Sequence, residues 1–266
     1  MGGGIAVSVV LAGRPVRLIE GSPELVATAE ERVRASLGRA AGRRDRADEV
    51  DALQELLTFS TDHDPTGVEL VIEAVPEDTA LKQKIFSELE AIYGAETIFA
   101  SNTSSLSITE IASALEHQGR FIGMHFFNPV PASALVEIVV GANTSDATTQ
   151  RVGELSELQG LTPIVVQDSP GFASSRLGLT LGLEAIRMVE SGVASVEDID
   201  AAMTLGYKHP IGPLKLTDLV GLDVRLAIAE HLASTLGKRF EPPQLMRDMV
   251  SAGKLGKKSG EGFYEW

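Results

Sequence analysis

From Val16 to Val166 the chain alternates short, almost unbroken apolar runs with amphipathic stretches, and this rhythm restricts its fold more than any other feature. The runs are Val16–Ile19, Val68–Val75, Thr97–Ala100, Phe121–His125, Leu135–Val140 and Pro163–Val166. They lack polar alternation, so they read as strands covered on both faces. Between them, Pro23–Leu37, Thr79–Tyr93, Ser107–Leu115 and Ala147–Gln159 have the amphipathic pattern of helices. Strand, helix, strand at this spacing predicts an α/β fold with a doubly wound, mostly parallel sheet. The two last strands fit that scheme and fit an antiparallel pairing at one edge equally well.

After Asp168 the rhythm stops. Pro170–Ser191 reads as one long helix, with Pro170 near its start and Gly192 just past its end. A second helix begins at Ser195, where Asp198 three residues on suggests a capping box. A third covers roughly Asp218–Leu236, and no strand pattern returns. The expected boundary therefore lies near residue 169, with an α/β domain over 1–169 and an all-helical one over 170–266. A small helical domain rich in Leu, Ile, Ala and Met buries its remaining apolar face most simply against a second subunit. A homodimer is expected.

Composition removes several classes of function. Thirty-seven acidic residues against 23 basic ones give a net charge of −14, which opposes sequence-independent binding of nucleic acid. With no cysteine there is no disulfide scaffold, thiolate metal site or cysteine nucleophile. No run of ~20 apolar residues exists to span a membrane. The N-terminus lacks the basic-then-apolar order of a secretory signal. A cytoplasmic protein with no membrane partner is expected.

The first ten residues, MGGGIAVSVV, are a glycine cluster running into a helical pattern, and the strand Val16–Ile19 ends in Glu20. In a dinucleotide-binding βαβ unit a glycine-rich turn opens a helix, and an acid about 20 residues later binds the adenosine ribose. Gly2 fits the last glycine of that fingerprint, the one that permits close packing of helix on sheet. Helix, second strand and acid are present, but no first strand or leading G-x-G precedes them. Such a sheet leaves two strand edges unpaired, so the natural chain is expected to begin earlier.

Of the five histidines, His125 stands out. It ends an apolar strand, where ligands collect in open α/β sheets, and Glu137 lies inside the next strand. A carboxylate among apolar residues needs a partner, and paired strands would bring it to the imidazole as the orienting acid of a general base. His63, in Asp62-His63-Asp64, makes a poor metal site because adjacent residues cannot all point inward, and no metal is expected. His117 reads as a solvated helix end, His231 as packing and His209 as part of a turn. Five consecutive polar residues, Ser101-Asn102-Thr103-Ser104-Ser105, follow a strand and exceed what a helix cap requires. Arg39, Arg43, Arg44 and Arg46 offer bidentate contacts for a phosphorylated substrate, or a solvated helix face; Lys82 and Lys84 are weaker versions of the same signal.

Together these residues resemble the 3-hydroxyacyl-CoA dehydrogenase family, particularly its short-chain 3-hydroxybutyryl-CoA members. The motifs are Ile72-Glu73-Ala74-Val75-Pro76-Glu77, Ser101-Asn102-Thr103-Ser104-Ser105-Leu106, and Gly123-Met124-His125-Phe126-Phe127-Asn128-Pro129-Val130. Pro170-Gly171-Phe172, Gly212-Pro213 with Asp218, and Gly256-Lys257-Lys258-Ser259-Gly260-Glu261-Gly262-Phe263-Tyr264 complete the set, in order from end to end of the chain. The resemblance implies a Rossmann-type domain with a helical hairpin, matched by Pro23–Leu57, that helps clamp CoA, followed by a helical dimerisation domain. It implies His125 as catalytic base, Glu137 as its orienting partner and Ser104 near the substrate oxygen and the nicotinamide. Glu20, Glu77, Lys82 and Asn128 match positions that contact NAD, and the charge of Glu20 favours NAD over NADP.

The family usually has Asn immediately before Arg176, where this chain has Ser175, a hydroxyl of shorter reach. The implied activity is NAD-dependent oxidation of an (S)-3-hydroxyacyl-CoA to the 3-ketoacyl-CoA, or the reverse, with Ser104 and Ser175 holding the oxygen. Two other readings share the pattern: a hydroxyacid dehydrogenase akin to lambda-crystallin, and a non-catalytic CoA-binding or structural dimer.

Overall fold

The alternation becomes seven strands in two sheets, in a computed structural model that describes all 266 residues. Its first unit, Met1–Asp168, begins with α1 (Gly2–Leu11), β1 (Val16–Ile19), α2 (Pro23–Gly42), α3 (Val50–Glu55) and β2 (Leu57–Ser60). It continues with β3 (Leu70–Glu73), α4 (Thr79–Ile92), β4 (Ile98–Ser101), α5 (Ile108–Ala112) and β5 (Phe121–Phe126), then β6 (Leu135–Val140), α6 (Asp146–Leu158) and β7 (Thr162–Gln167). β1 and β2 form a parallel pair; the second sheet has the order β3-β4-β5-β6-β7. Strands β3, β4 and β5 are parallel, β6 runs antiparallel to β5, and β7 is parallel to β6. The reversal that the sequence left open thus falls between β5 and β6.

α1 joins the two sheets. Its Ile5 belongs to a core with Ile98, Ile122, Met124 and Ile138, against which Leu70 and Ile72 of β3 pack. Its Ala6, Val7, Val10 and Leu11 belong to another core with Val33, Leu37 and Leu57, against which Val16 and Leu18 of β1 pack. A helix apolar on all sides can serve two cores at once. The stretch expected as a hairpin over Pro23–Leu57 contains α2 and α3, but Leu57 opens β2, which the sequence reading missed. Four residues directly after a helix are too few for a period of two to show.

The second unit, Ser169–Trp266, holds no strand: α7 (Ser174–Glu190), α8 (Val196–Ala201), α9 (Pro213–Val220), α10 (Leu222–Leu236) and α11 (Gln244–Ser251). α7 starts later than the expected Pro170, because Gly171 and Phe172 both adopt positive φ, 74° and 47°. Ser195 caps α8, its Oγ accepting from the Asp198 N–H at 3.1 Å. The helix expected over Asp218–Leu236 is two helices, broken where Gly221 takes φ 102°. Asp218 is buried and accepts from the Phe263 and Tyr264 N–H groups and the Trp266 indole, which pins the C-terminal tail. No helix of the chain is long and apolar enough to cross a membrane.

Candidate active site

The register of β5 and β6 sets His125 directly opposite Glu137. Opposed residues of an antiparallel pair share a face, and here the imidazole Nδ1 lies 2.7 Å from Glu137 Oε2. Glu137 is fully buried and His125 is 8% exposed, so the bond is shielded from competing water. The Phe127 ring stands 4.6 Å from the imidazole, between centroids. An ionised carboxylate can only accept, which assigns the Nδ1 proton to the imidazole and leaves Nε2 as the nitrogen able to take a proton.

One strand away, the ends of β3 and β4 carry a polar network. Glu77 Oε1 accepts from the Ser104 N–H at 2.7 Å, the Thr103 hydroxyl at 3.0 Å and the Ser104 hydroxyl at 3.1 Å. The Ser104 proton is therefore directed at Glu77, and its lone pairs are offered to an outside N–H or O–H donor. Lys82, on α4, is 1% exposed, and three oxygens lie within 3.3 Å of its nitrogen: Glu73 Oε1, Val75 O and Glu77 Oε2. Three donors for three acceptors leave none for a ligand, so Lys82 acts on the site through Glu77. Asn102, read in the sequence as part of the polar cluster after a strand, accepts from the Phe126 N–H at 3.0 Å through Oδ1 and ties the end of β4 to the residue after His125.

The first turn of α1 is Gly2-Gly3-Gly4, with no acidic residue and no side-chain cap. The Gly4 N–H donates to Met1 O at 2.8 Å, which leaves the Gly2 and Gly3 N–H groups as the donors suited to a diphosphate. Gly2 is not the glycine under steric pressure. A Cβ there would sit 3.6 Å from Ala74 Cβ, whereas at Gly3 it would stand 2.8 Å from Val33 of α2. Glu20 is half-buried directly after β1. These features fit NAD. Asn128 is exposed in the turn after β5.

The four arginines separate. Arg44 donates to Pro131 O at 2.9 Å; Arg46 donates to Leu11 O, the C-terminal carbonyl of α1, and pairs with Glu49 at 2.6 Å. Both hold the chain together. Arg39 and Arg43 are exposed and form no ion pair. Lys84 is exposed beside Glu88. His231 is exposed on α10 and not packed as expected. No three His, Asp or Glu side chains come together in a group that could hold a metal ion. Ser175 is the second residue of α7 in the other unit.

Residues 1–169 match the model of the 3-hydroxyacyl-CoA dehydrogenase NAD binding domain, and residues 171–266 that of the 3-hydroxyacyl-CoA dehydrogenase C-terminal domain. The probable 3-hydroxybutyryl-CoA dehydrogenase of Bacillus subtilis is 44% identical over 269 residues, covering 100% of this chain and 94% of that protein. A 3-hydroxybutyryl-CoA dehydrogenase of Mycobacterium tuberculosis is 43% identical over 272 residues, covering 100% and 95%. The crystal structure of (S)-3-hydroxybutyryl-CoA dehydrogenase from Ralstonia eutropha aligns with a TM-score of 0.94 at 41% identity, covering 100% of this chain and 95% of that one. None of these relatives points to a sugar-acid dehydrogenase or to a non-catalytic protein.

Proposed function

This chain belongs to the 3-hydroxyacyl-CoA dehydrogenase family, and from that premise we propose how its residues carry the reaction. The protein is an NAD-dependent oxidoreductase that interconverts an (S)-3-hydroxyacyl-CoA, of the 3-hydroxybutyryl-CoA kind, and the 3-ketoacyl-CoA. The observation that supports the mechanism most is the buried 2.7 Å bond between His125 and Glu137.

NAD, when bound, would supply the acceptor for the hydride leaving C3 of the substrate, and NADH the donor in the reverse direction. His125 accepts the hydroxyl proton at Nε2 while Glu137, fixed on Nδ1, holds the ring's orientation and stabilises the imidazolium. Ser104, its proton directed at Glu77, offers its lone pairs to the carboxamide N–H of the nicotinamide. Gly2 and Gly3 at the start of α1 would hold the diphosphate, Glu20 the adenosine ribose, and Glu77 and Asn128 would stand on the nicotinamide side. Arg39 and Arg43, uncommitted to ion pairs, are the arginines left to attract CoA phosphates.

General-base catalysis contributes roughly 10²–10⁴-fold, so His125→Gln is expected to lower acetoacetyl-CoA-dependent NADH oxidation by at least about 100-fold. Near-normal turnover in that variant rejects the assignment.

We further infer a cytoplasmic homodimer in which residues 170–266 supply the contact. Leu177 and Leu181 of α7 and Leu219, Val220 and Val224 at the α9–α10 junction are large exposed apolar side chains, which supports a second subunit there. Sedimentation at the monomer mass across all concentrations contradicts it.

A further inference from the structure

One buried acid takes no part in the steps above. Glu73, the last residue of β3, has a side chain only 2% exposed, and both its oxygens are engaged. Oε1 accepts from Lys82 Nζ at 2.7 Å and from the Val75 N–H at 2.6 Å, and Oε2 accepts from the Ser101 hydroxyl at 2.7 Å. Ser101 Oγ in turn accepts from the Thr103 N–H at 3.3 Å. Two routes therefore run from Glu73 to the same loop. One passes through Lys82 and Glu77 to Ser104, the other through Ser101 to Thr103.

We propose that Glu73 is a positioning residue for the dehydrogenase reaction: a buried anion that holds Lys82 and thereby keeps Glu77 turned toward Ser104. The reason is how one ammonium is shared between two carboxylates. Lys82 lies 2.7 Å from Glu73 but 3.3 Å from Glu77, whose side chain is 40% exposed. With Glu73 charged, Lys82 is held inward and Glu77 keeps Oε1 for the three donors of Thr103 and Ser104. Without that charge, Glu77 becomes the only carboxylate partner of a buried ammonium and is drawn inward, off Ser104. A pair serving packing alone is replaceable by neutral side chains of similar volume with little loss. Here the third N–H of the lysine faces a carboxylate that holds the catalytic loop, so neutral replacement of Glu73 alone has a functional consequence.

The proposal rests on the role given to Ser104 above, and its test is chosen to stand apart from that role. Amide hydrogen exchange in the cofactor-free protein reads the loop directly. In Glu73→Gln, amides of residues 102–106 are expected to exchange at least tenfold faster, while Phe99 and Met124 in β4 and β5 stay within twofold. Turnover falls at least tenfold with KM for acetoacetyl-CoA within twofold, and Glu73→Gln adds nothing to the turnover loss of Ser104→Ala.

Because Glu73→Gln strands a buried ammonium and could fail to fold, the pair is also replaced together as Glu73→Gln with Lys82→Met. That variant is expected to melt near the wild type and to bring exchange at 102–106 back within twofold of the wild-type rate, because no ammonium remains to draw Glu77 off Ser104. Wild-type exchange at 102–106 in folded Glu73→Gln overturns the proposal, as do fast exchange that persists in the double variant and effects of Glu73→Gln and Ser104→Ala on turnover that multiply. An unchanged turnover in Ser104→Ala counts against the role of Ser104, while loop exchange still judges Glu73.

Discussion

The middle of the five-stranded sheet and its β3 end are built from similar residues but live in different surroundings. Every residue of β4 and β5 is buried; in β1 none is, and in β3 only Glu73. β4 and β5 have a hydrogen-bonded strand on each side, whereas β1 and β3 each have one neighbour. Burial at the centre is apolar and collective. At the β3 end the single buried side chain is charged, and it is buried because Lys82, Val75 and Ser101 satisfy it. The proposed base lies at the centre, where registry fixes it, while the acid assigned to the cofactor ribose, Glu20, follows β1.

The largest effect that tests this contrast is on stability. Ile138→Ala, at a fully buried site on β6, is expected to cost about 2–5 kcal/mol, and Ile72→Ala on half-buried β3 clearly less, about 1–2 kcal/mol. Urea unfolding of both variants measures the gap; equal losses break the comparison.

That contrast also explains which parts were legible in the sequence. Phe121–His125 and Leu135–Val140 were readable because a strand covered on every side must be apolar, so Glu137 inside one of them announced a partner. β2 was hidden because Leu57-Thr58-Phe59-Ser60 is short, half-buried and joined to a helix. The break at Gly221 was hidden because Leu222 continues the apolar pattern across it. Arg44 and Arg46 read as phosphate contacts or as a solvated helix face, since composition gives no sign that one reaches Pro131 O and the other Leu11 O. Glu73 stood in a recognised motif, but its partners Lys82 and Ser101 come from an adjacent helix and strand, and that convergence exists only in three dimensions.

A smaller effect separates the two glycines at the start of α1, the helix that serves both regions. Gly3→Ala drives a Cβ to 2.8 Å from Val33, and overpacking of that kind costs about 1–3 kcal/mol. Gly2→Ala meets Ala74 at an ordinary 3.6 Å and is expected to be neutral or to raise the melting temperature slightly. Melting curves that rank the pair the other way contradict the placement of α1.

The smallest effect concerns pH at Glu90, near the C-terminal end of α4. Burial by itself raises the Glu90 carboxyl, but the Glu116 and His117 N–H groups and the Arg120 guanidinium outweigh it and hold it below the ordinary value of 4.5. A carboxylate depressed in the folded state adds stability above its unfolded pKa and loses it as pH falls through the folded one. Between about pH 6 and pH 3 the wild type should therefore lose more unfolding free energy than Glu90→Gln does. Parallel losses in urea titrations would remove Glu90 from the account.

The central claim is that Glu137 fixes the imidazole of His125 so that Nε2 receives the proton. Nitrogen-15 NMR of the histidine side chains at alkaline pH measures this directly. Neutral His125 is expected to carry its proton on Nδ1 and none on Nε2, and Glu137→Gln is expected to disturb this preference. A proton found on Nε2 in the wild-type protein contradicts it.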